Sequence, residues 1–262
     1  MSIFRFLHAG FFITLCGIAF SSVAAAPLTV KLYLPDNFDA NRKQIPNTQQ
    51  LTEVFNYIEP EADLKFVIVT LPWKRAKFEV RQGNGILYGF SKSAERFEHF
   101  RFSAPVITLN VWAITFGTDN PHFSDVMDLK GRIVTSGLGL SHGIEYENAK
   151  NKIFTVQEDF ISFPERFKKL IVKRSHLMLV PSRQRLNREQ VDYWLNHILI
   201  PGFNDPGLKN KHFDVSTKPM FYDTIHFASG KDHFDDIIDR IDIVIQKGTK
   251  DGSFPKLLEK YE

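Results

Sequence analysis

Short apolar runs alternate with longer amphipathic stretches from residue 28 onward, and this alternation constrains the fold more than any other feature. LTVKLYL (28–34) reads as a strand stopped at Pro35. Thr48 to Tyr57 has helical spacing, LKFVIVT (64–70) is a buried strand, and Trp73 to Gln82 is a second helix closed by Gly83 and Gly85. GILYG (85–89) is strand again. Strand, helix, strand, helix, strand within about sixty residues is the pattern of a parallel sheet covered by helices. A second series follows ITLNVWAITF (107–116): GRIVTS (131–136) as strand, Leu140 to Lys150 as helix, KIFTV (152–156) as strand, Ile161 to Lys173 as helix and HLMLVP (176–181) as buried strand. The last quarter holds an extended stretch at Pro219–Ala228 and a helix near Phe234–Gln246, whose Ile237, Ile238, Ile241, Val244 and Ile245 recur at helical spacing. The expected architecture is α/β with two lobes.

The N-terminus reads differently. One basic residue, Arg5, precedes an apolar run from Phe11 to Phe20, followed by Ser21, Ser22, Val23 and three alanines. That is the layout of a secretory signal peptide over 1–25, with Val23 and Ala25 at the small-residue positions of the cleavage site. A spanning helix needs about twenty apolar residues, roughly twice this run. Cys16, the only cysteine, lies inside it and lacks the small preceding residue of a lipid-anchor site. The expected mature chain therefore has no thiol and no disulfide, and must be held by its core. Its charge is nearly balanced: 33 basic residues against 30 acids, falling to 32 without Arg5. Such a balance leaves no footprint for nucleic acid or an anionic membrane.

Two segments carry candidate chemistry. In GFSKSAERFEHFRFSAP (89–105), Gly89 lets a backbone approach a ligand closely, and Ser91 and Ser93 place hydroxyls at the carboxyl end of a strand, where ligands sit in open α/β sheets. Arg96 follows in reach of that crevice, and its planar fork suits a carboxylate or phosphate. IVTSGLGLSHG (133–143) is a strand, a glycine-rich turn and a helix start, which can present N–H groups to an anion. It is neither a dinucleotide fingerprint nor a P-loop. Trp73, directly after Pro72 at a strand exit, is placed at a crevice mouth. The histidines are scattered without metal-ligand spacing, so no metal or other cofactor is expected.

TLPWKRAKFEVRQGNGILYGFSKSAERFEHFRFSAPV, then DLKGRIVTSGLG (128–139), then a helix, KDG and a short helix reaching KY (250–261) together resemble family 3 periplasmic solute-binding proteins, the amino-acid-type receptors of ABC transporters. The resemblance spans nearly the whole chain after residue 25. It implies two Rossmann-like lobes joined by two hinge strands: residues 26–112 with 219–262 as one lobe, 117–216 as the other, and hinges near 111–118 and 216–227. It implies that Arg96 clamps a ligand carboxylate, that Ser91 and Gly89 hydrogen-bond the same ligand, and that Trp73 packs on it. Gly137, Leu138 and Gly139 would supply N–H groups to the carboxylate, and Tyr33 would make a side-chain contact. It further implies a periplasmic, monomeric protein without enzymatic activity that delivers its solute to a membrane permease.

One departure from the family pattern shapes the expected ligand. Those receptors hold the ligand ammonium with an aspartate after a lobe-two strand, where this chain has Pro181 or Ser182; His176 replaces another aspartate nearby. A buried ammonium without an anionic partner is costly. Arg183 and Arg185 would make that rim basic. The expectation is thus a small polar or anionic solute, a carboxylate without a free α-amine. Two other readings use the same cleft: an enzyme of the cyclohexadienyl-dehydratase type, with Glu145 or His142 as its acid or base, and a ligand-sensing partner of a membrane receptor.

Overall fold

The computed structural model describes residues 26–36, 43–44, 46–117, 123–160 and 162–259. The signal-peptide reading of 1–25, position 118 of the first expected hinge and residues 260–262 lie outside them.

Each apolar run of the first series forms a strand, but the one at 64–70, expected to be buried, is an edge strand that leaves Val67 and Ile68 exposed. Strand β1 (Leu28–Pro35) leads through helix α1 (Gln49–Glu61) to β2 (Leu64–Leu71), α2 (Trp73–Arg81) and β3 (Ile86–Ser91). Thr48 caps α1 by accepting the Leu51 N–H, which is why the helix starts where it does. A single turn, α3 (Ala94–Phe97), and short β4 (Phe100–Phe102) precede the long β5 (Ile107–Thr115). The second series gives a 3₁₀ turn at Val126–Leu129, β6 (Ile133–Gly137), α4 (Ile144–Ala149), β7 (Thr155–Asp159), α5 (Phe163–Ile171) and β8 (Leu177–Arg183). Then come α6 (Arg188–Tyr193), a π-helical stretch at Trp194–Leu199 and α7 (Ile200–Gly202). Short β9 (Asp214–Val215), β10 (Phe221–Gly230), α8 (Asp235–Asp251) and α9 (Ser253–Glu259) end the described chain.

The sheet order is β2-β1-β3-β10-β5-β8-β6-β7, with β4 on β10 and β9 on β5. The parallel pairing the alternation predicts is confined to the two ends, β2-β1-β3 and β8-β6-β7. Between them β10 and β5 run antiparallel, Ile225 opposite Ile107 and Phe221 opposite Val111. Each is thus shared by both ends of the sheet. At one end Leu32, Ile58, Phe227, Ile238 and Ile241 form a closed core, so α8 packs with the first series. At the other, β5 and β8 carry cores on both faces, one around Tyr146 and Phe221, which β6 joins through Val134, and one around Phe167 and Phe213.

Two elements differ from the sequence reading. The helix expected over 140–150 begins only at Ile144, because Gly139 and Gly143 take positive φ (73° and 92°) that no helix admits. The strand expected at 152–156 is β7, three residues later. Asn151 adopts a left-handed φ of 59° and its N–H closes a turn on the Phe154 carbonyl, so residues 151–153 are spent turning.

Candidate functional site

The carboxyl ends of β3 and β6 approach each other, and side chains at the end of β3 and just after it reach backbone carbonyls of the turn after β6. Arg96 is set there by its own short helix: Ser93 caps α3 and accepts the Arg96 N–H at 3.2 Å. The guanidinium lies 4.2 Å over the Phe90 ring, so its apolar face is covered. One arm donates to the Ser91 carbonyl at 2.7 Å and the other crosses to the Gly139 carbonyl at 3.3 Å. Only 9% of the residue is exposed. Burial is the main influence on its pKa and lowers it, but an arginine stays charged in any such setting.

Ser91, the last residue of β3, donates its hydroxyl to Asp223 at 2.6 Å, 3.4 Å from the Ser141 carbonyl of the opposite wall. Gly89 has a φ of +90°, and a Cβ there would meet no atom within 4 Å, so β3 is bare at that point. Trp73 opens α2, meets Phe90 edge-on at 5.6 Å, and comes within 4.0 Å of where a Gly139 side chain would start. Tyr33 is 4% exposed and packed among Trp73, Ala76 and Phe90, so it supports this wall from behind.

The opposite wall is the turn after β6. Leu138 donates its N–H to the Asp159 carbonyl, Leu140 to the Gly137 carbonyl, and Gly139 to the Glu158 carboxylate at 3.2 Å. Gly137 has no room for a side chain: a Cβ would stand 2.6 Å from the Arg166 guanidinium. In this arrangement the turn uses its N–H groups within its own wall and offers the Gly139 carbonyl to Arg96. Leu140 packs onto the cluster of Tyr33, Trp73 and Phe90, and Gly143 lies against the backbone of Tyr222 and the Asp223 carboxylate. The two walls are in contact.

Two residues at this cleft were not singled out from the sequence. Asp223 projects from β10, 5% exposed, and burial pushes its pKa up to about 6 despite the hydrogen bonds from Ser91 and the Thr224 N–H. An acid amid the apolar run FYDTIHFAS was the available signal. Lys77 sits one helical turn after Trp73 and reaches the Gly139 carbonyl at 3.5 Å. Ser182 and His176, at the two ends of β8, have other partners. Ser182 accepts the Trp112 indole N–H at 2.9 Å and is part of the core. His176 accepts the Ile133 N–H. The basic rim expected from Arg183 and Arg185 is spent on α9, at the Leu258 carbonyl and the Glu259 carboxylate. His142 is fully enclosed, edge-on to Tyr146, and burial followed by repulsion from Arg96 lowers its pKa to about 4. Ser141 Oγ is buried with no hydrogen-bond partner among the described residues.

No family model matches this chain, and no curated protein matches it. Solved structures do. A variant of ArgBP from T. maritima superposes with a TM-score of 0.63 at 16% identity, over 89% of this chain and 94% of that one. The amino acid ABC transporter substrate-binding protein AbpA of Streptococcus pneumoniae, bound to L-arginine, gives 0.63 at 17%, over 88% and 93%. The GluR0 ligand-binding core of Nostoc punctiforme, in complex with L-glutamate, gives 0.62 at 14%, over 90% and 99%. The fold is that of the type II periplasmic binding proteins. In this chain β5 and β10 are the central antiparallel pair between the two parallel ends of the sheet. Among the described residues no helix is long and apolar enough to cross a membrane.

Proposed function

We propose that this protein is a family 3 extracytoplasmic solute-binding protein, exported to the periplasm, that captures a small carboxylate-bearing solute between its lobes for an ABC-type permease. The lobes would be residues 26–112 with 219–262 and residues 117–216, hinged near 111–118 and 216–227, in a monomer without enzymatic activity. The observation that carries the reading is Arg96. It is a buried guanidinium at the interlobe cleft, with no ion-pair partner among the described residues and only carbonyl oxygens as acceptors. Desolvating a cation without a counter-charge is expensive, and an anion seated between the walls supplies that charge. Ser91, Gly89 and the unpartnered hydroxyl of Ser141 stand beside it, Trp73 offers a ring, and Gly137, Leu138 and Gly139 form the facing turn.

Asp223 changes the expected solute class. The sequence reading argued against an α-amine for want of an acid on β8. The acid comes from β10 instead, at the same Ser91 hydroxyl, so amino acids as well as plain carboxylates belong in the candidate class. A thermal-shift screen of the refolded, ligand-free protein against amino acids and small carboxylates tests the reading. A solute at a hundred times its dissociation constant adds about 2.7 kcal/mol of stability. Stabilisation by a carboxylate that disappears in Arg96→Ala supports capture at this cleft; stabilisation untouched by that substitution removes Arg96 from the site.

A further inference from the structure

Lys77 has no part in the clamp as described, yet it converges on it. Arg96 comes from α3 and Lys77 from α2, and both end on one atom of the opposite lobe, the Gly139 carbonyl oxygen, at 3.3 and 3.5 Å. A Cβ on Gly139 would stand 3.1 Å from the Lys77 ammonium, so the turn leaves that side clear for it. Lys77 is half-buried. Its pKa is lowered, first by burial and then by Arg96 itself.

Among the described residues neither cation has a carboxylate at ion-pair distance, and the acids around them are committed or remote. Glu158 holds Lys150 at 2.5 Å and the Gly139 N–H at 3.2 Å. Asp223 holds Ser91. Glu95 and Glu147 influence both cations only through space. Two like charges drawn out of water onto one neutral carbonyl are each destabilised by burial and by the other. A lysine serving only the fold would gain more by turning to solvent or to one of those acids.

We propose that Lys77 and Arg96 together form a two-cation subsite, so that the solute carries two anionic groups, as in a dicarboxylate or an acidic amino acid. Arg96 takes one group and Lys77 the other, with the Trp73 ring alongside. This rests on the cleft being the solute site, and deepens that reading by naming the charge of its ligand.

Calorimetric titration with glutarate, pentanoate and L-glutamate, on the wild-type protein and on Lys77→Met, separates the two claims. Methionine keeps the unbranched stem and removes only the charge. Glutarate or L-glutamate should bind the wild-type protein at least tenfold more tightly than pentanoate, and Lys77→Met should erase that preference. Equal affinity for the diacid and the monoacid overturns the subsite while leaving capture intact, as does a Lys77→Met variant that weakens all ligands alike. Binding of none of them overturns the subsite, while capture is decided by the thermal-shift screen. The ligand-free protein gives an independent readout at low salt: relieving the repulsion in Lys77→Met should raise Tm by about 2 °C. A lower Tm would make Lys77 a structural donor to Gly139 and sink the proposal.

Discussion

The two walls of the cleft handle charge in opposite ways. On the β6–β7 side every cation in reach of the turn is neutralised within that wall. Glu158 takes Lys150, and Asp159 takes both Arg166 and Lys169. These pairs fix the turn, and Gly137 makes room for one of them. On the β3 side Arg96 and Lys77 find carbonyl oxygens and an aromatic face but no carboxylate among the described residues. A wall whose ions are satisfied locally is a scaffold. A wall that holds cations out of water without counter-ions is poised for an anion, and it accepts a cost in stability for that. On the proposed reading this contrast, more than any one residue, separates the parts that build the cleft from the parts that use it.

Substitution of the same kind of charge on the two walls should therefore give opposite results. The largest effect is expected from Arg96→Ala. Leaving a desolvated ligand carboxylate without its partner should weaken binding on the order of a hundredfold or more, with circular dichroism unchanged. Titration calorimetry checks this, and an affinity within threefold of the wild type would dissolve the contrast.

Asp223→Asn comes next, and it is read in stability. The folded carboxyl has a pKa of about 6 against the ordinary 3.8, burial being the main cause. Between those values the folded state binds more protons than the unfolded one, so stability falls as pH rises through the window. Above pH 6 the whole cost is present. Removing the charge should raise stability by about 3 kcal/mol at pH 7 and leave it unchanged below pH 4. The buried His142 and His226, both near 4, act in the opposite sense between pH 4 and 6.5, but they are common to both proteins and cancel. Denaturant melts of both proteins from pH 3.5 to 8 measure the difference; a constant offset across that range would place Asp223 in a solvated setting.

The smallest effect is expected from Lys150→Met. It strands Glu158 in a partly buried position and should cost about 1 kcal/mol of stability. Ligand affinity should move less than twofold, because that cation belongs to the scaffold. An affinity loss approaching that of Arg96→Ala would make both walls functional and erase the distinction.

Much of this fold was legible because its signals are local. Apolar runs of seven residues between amphipathic stretches gave β1 and β2 to within a residue, a run of six gave most of β8, and five isoleucines and valines at helical spacing gave α8. What escaped depends on position in three dimensions. The shortened α4 follows from backbone angles at Gly139 and Gly143 that spacing does not reveal. The π-helical stretch at Trp194–Leu199 continues α6 without a break in pattern. At the site, Arg96, Ser91 and Gly89 stood out because a strand end followed by hydroxyls and an arginine is contiguous in sequence. Asp223 joins them from a strand 132 residues away. Lys77 resembles any solvated helix lysine until Gly139 is brought against it.

The central claim is that the lobes close on an anion through the β3 wall. The most direct test is a distance between them, measured by pulsed electron spin resonance with labels on cysteines replacing Asp236 on α8 and Lys152 after α4, in the mature protein from residue 26 on, which has no cysteine of its own. With saturating L-glutamate or glutarate the distance distribution should shift and narrow, and in Arg96→Ala it should stay at the ligand-free value. A distribution that ignores a ligand calorimetry shows to be bound, or that closes equally well without Arg96, would contradict it.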